Sequence, residues 1–140
     1  MTELADTSAW LASRREPATR AQCETAVVEG EVATCDMVKL ELLEMARNPS
    51  DFSNLRSDLD RLSNCTIGAA EWIRALDVYE QISRSGPRND YHRRISHPDL
   101  LIAAAAEAAG VPLVHYDEDF DAIARVTGQL MRWIAPRGSL

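Results

Sequence analysis

The sequence predicts an α/β fold in three layers, with helices on both faces of a central parallel sheet. Three observations carry that expectation. Short apolar or β-branched runs alternate with longer stretches of helical periodicity. A helical stretch separates each run from the next, which requires crossover connections and hence parallel, right-handed pairing. The 140 residues, 46% of them hydrophobic, suffice for one domain spanning 1–140 around a single core.

Leu4–Asp6 is the first short strand. From about Pro17 to Glu29 the small apolar positions Ala18, Ala21, Cys23, Ala26 and Val27 fit a helix, which Gly30 stops. "VATC" (32–35) is the second strand, and Asp36 is placed to cap a helix running to about Arg47, with Met37, Val38, Leu40, Leu42, Leu43 and Met45 as its broad apolar set. Asn48 as N-cap with Pro49 at the first helical position starts the next helix, whose Phe52, Leu55, Leu59 and Leu62 recur at helical spacing. "CTI" (65–67) is a third strand candidate. A strongly amphipathic helix follows over 69–86, with Trp72, Ile73, Leu76, Val78, Tyr79 and Ile82 on its apolar side and Gly86-Pro87 at its end. After the polar loop "SGPRNDYHRRISHP", the alanine-rich run Asp99–Ala109 reads as a buried helix closed by Gly110. "PLVHY" (112–116) is a strand, Phe120–Val126 a short helix, and "MRWIA" (131–135) the last strand.

Composition narrows the function classes. No apolar run approaches the roughly 20 residues of a membrane span, and no basic N-terminal region precedes an apolar core, so no membrane partner and a cytoplasmic location are expected. Cys23, Cys35 and Cys65 are odd in number and none pair at C-x-x-C spacing, which disfavours a disulfide framework or a zinc site. A net charge of −7 disfavours coating nucleic acid through a broad basic field. It remains compatible with an enzyme that concentrates acids in one pocket. No Gly-rich turn follows a strand, so a nucleotide-cofactor domain is not indicated.

The acids fall where an α/β sheet builds its sites, beyond the carboxyl ends of the strands. Asp6 ends the first strand. Asp117 and Asp119 follow "PLVHY". Asp99 lies in the first turn of the alanine-rich helix, and Glu41 sits one turn into the helix after "VATC". Crowded carboxylates repel unless a cation joins them, and an all-oxygen set favours a hard ion such as Mg²⁺ or Mn²⁺. That is the constellation of a metal-dependent phosphodiesterase. Each acid also fits a plainer role: Asp6, Asp36 and Asp99 as helix N-caps, Glu41 as a solvated helical residue with Glu44 as its rival, and "YDEDFD" as a polar loop.

"LADTSAWL", "VKLELLEMAR", "HPDLLIAAAAEAAGVPLVHYDEDFDAIA" and "TGQLMRWIAPRGSL" together resemble a PIN-domain ribonuclease, and more narrowly the VapC toxins of bacterial type II toxin–antitoxin systems. The resemblance spans nearly the whole chain in order. It implies a PIN-like α/β/α domain that holds Mg²⁺ or Mn²⁺ with acidic residues and cuts RNA. It matches Asp6 to the family's first acid, Glu41 to the second and Asp99 to the third. The fourth is Asp117 or Asp119, Asp117 being favoured. Thr7 and Ser8 match hydroxyls that support such a site. Asp6, Asp99 and Asp117 or Asp119 would thus be metal ligands, with Glu41 ligating the ion or orienting the attacking water. Ala5 departs from the family, standing where a larger aliphatic is common.

The resemblance further implies an RNA substrate (tRNA, rRNA or mRNA), a homodimer, and a cognate VapB-type antitoxin, for which Leu42, Leu43, Met45, Phe52 and Leu55 offer either contact surface or core. Arg84, Arg88, Arg93 and Arg94, with His92, cluster just before Asp99 and are candidates to bind substrate phosphates. A solvated loop is the plainer reading of the same residues, and His97 and His115 also fit structural roles. Two rivals stand beside the nuclease. One is a PIN-like module that binds RNA or protein without cutting. The other is a phosphatase with Asp6 as nucleophile, although the common pattern wants a second Asp where Ser8 stands.

Overall fold

The computed structural model describes residues 1–140. Its centre is a five-stranded parallel sheet of order β3-β2-β1-β4-β5. The strands are β1 (Glu3–Ala5), β2 (Val32–Thr34), β3 (Ser63–Asn64), β4 (Leu113–His115) and β5 (Met131–Trp133). The helices are α1 (Thr7–Ser13), α2 (Pro17–Val28), α3 (Asp36–Leu43), α4 (Pro49–Asp60), α5 (Ala69–Ser85), α6 (His97–Ala109) and α7 (Asp119–Thr127), with a 3₁₀ turn at Tyr91–Arg94.

Successive strand residues face opposite sides of a sheet, and two buried clusters follow from that. Leu4, Ala33 and Leu113 belong to the larger one, with Val38 and Leu42 of α3, Val78 and Ile82 of α5, most of α6, and Phe120 and Ile123 of α7. Ala5, Val32 and Val114 belong to the smaller one, with Ala9 of α1 and partly buried Ala26 and Val27 of α2. Helices therefore cover both faces, as expected for three layers. Ala5 meets Ala9 and Val32 on the thinner side.

Several expectations need correction. Helix α1 was not anticipated. It has only seven residues, and its start is set by the Asp6 side chain rather than by a long apolar stripe. Asp36 and Asp99 are not N-caps; Cys35 and Ser96 hold those positions, and the two acids lie in the first turns of α3 and α6. Helix α3 stops at Leu43 rather than near Arg47, because the Met45 and Ala46 amides turn back to the Leu42 and Leu43 carbonyls. The chain then extends at Asn48, whose side chain accepts from the Asp51 amide and caps α4. Strand β3 lies at 63–64 rather than 65–67: the Cys65 amide still bonds to Thr34 O at 2.7 Å, beyond which the pairing ends. Leu42 and Leu43 are core residues, not contact surface. Trp72, Ile73 and Leu76 of α5 are 54%, 60% and 67% exposed, so half of that helix's apolar set lies outside the core. The three cysteines are free, Cys35 and Cys65 buried.

Gly86, after α5, is required by close approach. A Cβ there would lie 2.6 Å from Cβ of Tyr91, so a larger residue would push away the 3₁₀ turn that leads to α6.

Candidate metal centre

Asp6 leaves the end of β1 in extended conformation and becomes the N-cap of α1. Its Oδ1 accepts the Ala9 amide at 3.0 Å and its Oδ2 the Ser8 amide at 3.2 Å. The Ser8 hydroxyl lies 2.8 and 2.9 Å from the two carboxylate oxygens and donates to them. The same hydroxyl accepts the Tyr116 amide at 2.8 Å, tying β1 to the segment after β4. Thr7 points elsewhere: its hydroxyl donates to Glu41 Oε1 at 2.8 Å. The two hydroxyls thus fix the two carboxylates contributed by β1 and α3.

The loop after β4 is organised in the same way. Asp117 Oδ1 accepts the Asp119 amide at 2.9 Å, and Asp119 Oδ2 accepts the Ser96 amide at 3.2 Å. Ser96 caps α6, which carries Asp99 in its first turn, where the helix dipole favours negative charge. Asp99, Asp117 and Asp119 each bring one carboxylate oxygen to a common point, all within 4.8 Å of one another. Asp117 and Asp119, alternatives in the sequence, are both members of this trio.

The charges confirm the crowding. Burial, partly offset by the hydrogen bonds from Ser8 and Ala9, raises the Asp6 carboxyl to about 6, with the Asp117 charge adding to the rise. Burial raises Asp99 furthest, to about 9, followed by repulsion from Asp6, Asp117, Asp119 and Glu41. Burial also raises Asp119. The charges of Asp6, Glu41, Asp117 and Asp119 all act on Asp99, although the five acids come from four separate stretches of chain. Asp6 is 2% exposed and Asp99 8%.

This donor set fits a hard divalent cation. It is all oxygen, and the Cys and His side chains contribute no ligand atom to the trio. A carboxyl whose proton is held to about 9 by burial, and then by the repulsion of other carboxylates, gains from a cation at that point.

The predicted basic cluster is arranged differently. Arg84 pairs with Glu80 at 2.8 Å and Arg88 with Asp90 at 3.7 Å. Arg94 lies over the Tyr91 ring, and Arg93 has no acidic partner. No hydrogen bond or ion pair joins these four to the acids of the site. His92 and His97 both pack edge-on against Tyr79. A cation that sequence reasoning missed, Arg15, lies with its guanidinium 5.9 Å from the ring centroid of Tyr116, the residue before Asp117. It comes from the turn after α1, an element that was itself not anticipated.

Residues 4–126 match the PIN domain family. The chain belongs to that family. Within it, the domain is 38% identical over 135 residues to Ribonuclease VapC18 of Mycobacterium tuberculosis, covering 96% of each chain. It is 38% identical over 124 residues to VapC51 of the same organism, covering 89% of this chain and 87% of that protein. It is therefore a VapC-family PIN domain. Its fold is similar to that of a DNA-bound VapBC from Salmonella typhimurium, with a TM-score of 0.71 at 15% identity, covering 96% of this chain and 100% of that one. A VapBC2 from Rickettsia felis, bound to a promoter DNA fragment, gives 0.68 at 18% identity over 95% and 98% of the two chains. At such identities the likeness to this PIN domain concerns the fold.

Proposed function

We propose that this PIN domain is a Mg²⁺- or Mn²⁺-dependent endoribonuclease, the toxin of a toxin–antitoxin pair, which hydrolyses RNA phosphodiester bonds. The observation that carries the proposal is the convergence of Asp99, Asp117 and Asp119, each with one carboxylate oxygen within 4.8 Å of the others', with Asp6 and Glu41 near enough to repel the charge on Asp99. The relatives' designation as ribonucleases supports it.

Asp99, Asp117 and Asp119 would hold the ion, with Asp6 beside them. When bound, such an ion stabilises negative charge on phosphoryl oxygens and lowers the pKa of a bound water. The remaining work falls to the chain. Ser8 holds Asp6 in a fixed orientation, and the Asp119 and Ser96 amides do the same for Asp117 and Asp119. Glu41, anchored at Oε1 by Thr7, keeps Oε2 available to ligate or to orient the attacking water. Arg93 and Arg94, with Arg84 and Arg88 once released from Glu80 and Asp90, would take flanking phosphates; such contacts position the substrate.

The partners follow from the relatives. The similar solved structures are described as VapBC assemblies, which supports a VapB-type antitoxin for this chain. The exposed apolar side chains Leu40, Trp72, Ile73 and Leu76 support a homodimer through α3 and α5. No helix of the chain is long and apolar enough to cross a membrane, in keeping with a cytoplasmic toxin.

The test is cleavage of a structured RNA by the purified chain with Mn²⁺ or with EDTA. Cutting in Mn²⁺ only, lost by at least about two orders of magnitude in Asp6→Asn and Asp99→Asn, is the expected result. RNA binding without cutting in any metal would favour the non-catalytic module instead.

A further inference from the structure

His115 ends β4 and is enclosed, 1% exposed. Its ring lies 5.1 Å from that of Phe120 and 5.1 Å from that of Trp133, centroid to centroid. A core histidine in such a place needs no polar partner beyond those that satisfy it, yet its two nitrogens differ sharply. Nδ1 accepts the amide of Asp117 at 3.3 Å. An accepting Nδ1 leaves the ring proton on Nε2. Nε2 is buried with no hydrogen-bond partner, and the nearest acid, Asp121 Oδ1, is 3.9 Å away. That carboxylate is itself held by Trp133, whose indole N–H donates to Oδ1 at 3.1 Å.

A continuous line of contacts therefore runs from β5 to the acids. Trp133 holds Asp121, which faces Nε2. Nδ1 holds the Asp117 amide, Asp117 Oδ1 the Asp119 amide, and Asp119 Oδ2 the Ser96 amide at the head of α6. The first amide bond reaches two residues ahead, as an Asx turn does. It fixes the direction in which the chain leaves β4, and so the spacing of two of the three oxygens.

We propose that His115, which accepts the Asp117 amide at Nδ1, is a positioning residue that sets the Asp117–Asp119 turn for the divalent ion. The proposal rests on the metal reading above and adds a residue that touches neither ion nor substrate. Groups that orient a metal's ligands typically account for about 10–100-fold in affinity.

The experiment compares Mn²⁺ binding by calorimetry in the wild type, His115→Phe and His115→Asn, alongside metal-free thermal unfolding. Phe keeps a planar ring in the aromatic pocket and deletes the acceptor. Asn restores an acceptor two residues before the Asp117 amide. The expected result is Mn²⁺ affinity lowered about 10–100-fold in His115→Phe, substantial recovery in His115→Asn, and metal-free melting that does not follow this order. Equal affinity in a folded His115→Phe and the wild type overturns the proposal, as does loss in both variants in proportion to their melting temperatures. If His115→Phe does not fold, imidazole ¹⁵N NMR of the wild type decides. A ring whose Nδ1 is unprotonated, with a slowly exchanging Asp117 amide, supports the assignment, and a ring that carries its proton on Nδ1 overturns it. A wild type that takes up no Mn²⁺ would overturn the metal reading itself, an outcome distinct from equal binding by wild type and variant.

Discussion

Asp99 and Asp6 are both buried acids at strand or helix ends, yet they sit at different points of ionisation. Asp6 accepts two amides and a hydroxyl, and these partly offset its burial. Four other carboxylates repel the charge on Asp99. A group whose folded pKa is raised holds its proton more tightly in the native state, so its contribution to stability is greatest at low pH and is lost as pH rises through the folded value. For Asp99 that window runs from 3.8 to about 9; for Asp6 it runs from 3.8 to about 6. Metal-free protein should therefore melt at progressively lower temperature between about pH 6 and pH 9, and Asp99→Asn should flatten that decline. Calorimetric melting at several pH values checks it; a slope unchanged in Asp99→Asn would contradict the crowding. Ser8 gives a second residue-scale prediction. Ser8→Ala strips the acceptor from the Tyr116 amide and a donor from Asp6, at about 1–3 kcal/mol, measurable by urea denaturation. Most of the candidate acids were legible because they stood just past a strand end or in a first helical turn, and Glu41 because it lay one turn into the helix after a strand. Ser8's double use was not, because the Tyr116 amide is 108 residues away and only the β1–β4 pairing brings it near.

At the scale of elements, local signals and tertiary ones separate cleanly. Helix α4 announced itself through Asn48 and Pro49, and the Asn48 side chain does accept the Asp51 amide at 2.8 Å. Asn48→Ala should cost about 1 kcal/mol, lowering the melting temperature by about 3 °C and leaving Mn²⁺ uptake unchanged, since α4 contributes no acid to the site. Helix α1 itself was illegible because seven residues carry too little periodicity, although the N-cap reading of Asp6, one of two roles the sequence left open for it, is the one its hydrogen bonds show. Helix α5 was legible as amphipathic, but periodicity does not say what covers an apolar face. Val78 and Ile82 found the core; Trp72, Ile73 and Leu76 did not. The line from Trp133 through Asp121 and His115 joins β5, α7 and β4, and no spacing in the sequence reveals such a three-element contact.

For the whole molecule, the parallel order β3-β2-β1-β4-β5 gathers acids from four stretches of chain at one end of the sheet. Leu40 of α3 and Trp72, Ile73 and Leu76 of α5 lie outside the core, and an isologous pairing would cover them on both copies at once. Sedimentation should show a dimer that Leu76→Glu dissociates, with metal-free folding retained; a monomeric wild type would assign that face to another partner. The chain carries a net −7, and a divalent ion would relieve the repulsion where its carboxylates crowd around Asp99. The most direct measurement is a Mn²⁺ titration of the wild type near neutral pH, by calorimetry in two buffers of different ionisation enthalpy. If the acids form one ion centre, uptake is saturable, releases close to one proton as the Asp99 carboxyl ionises, and is lost in Asp99→Asn. Absence of uptake, or uptake with no proton released and equal strength in Asp99→Asn, would contradict it.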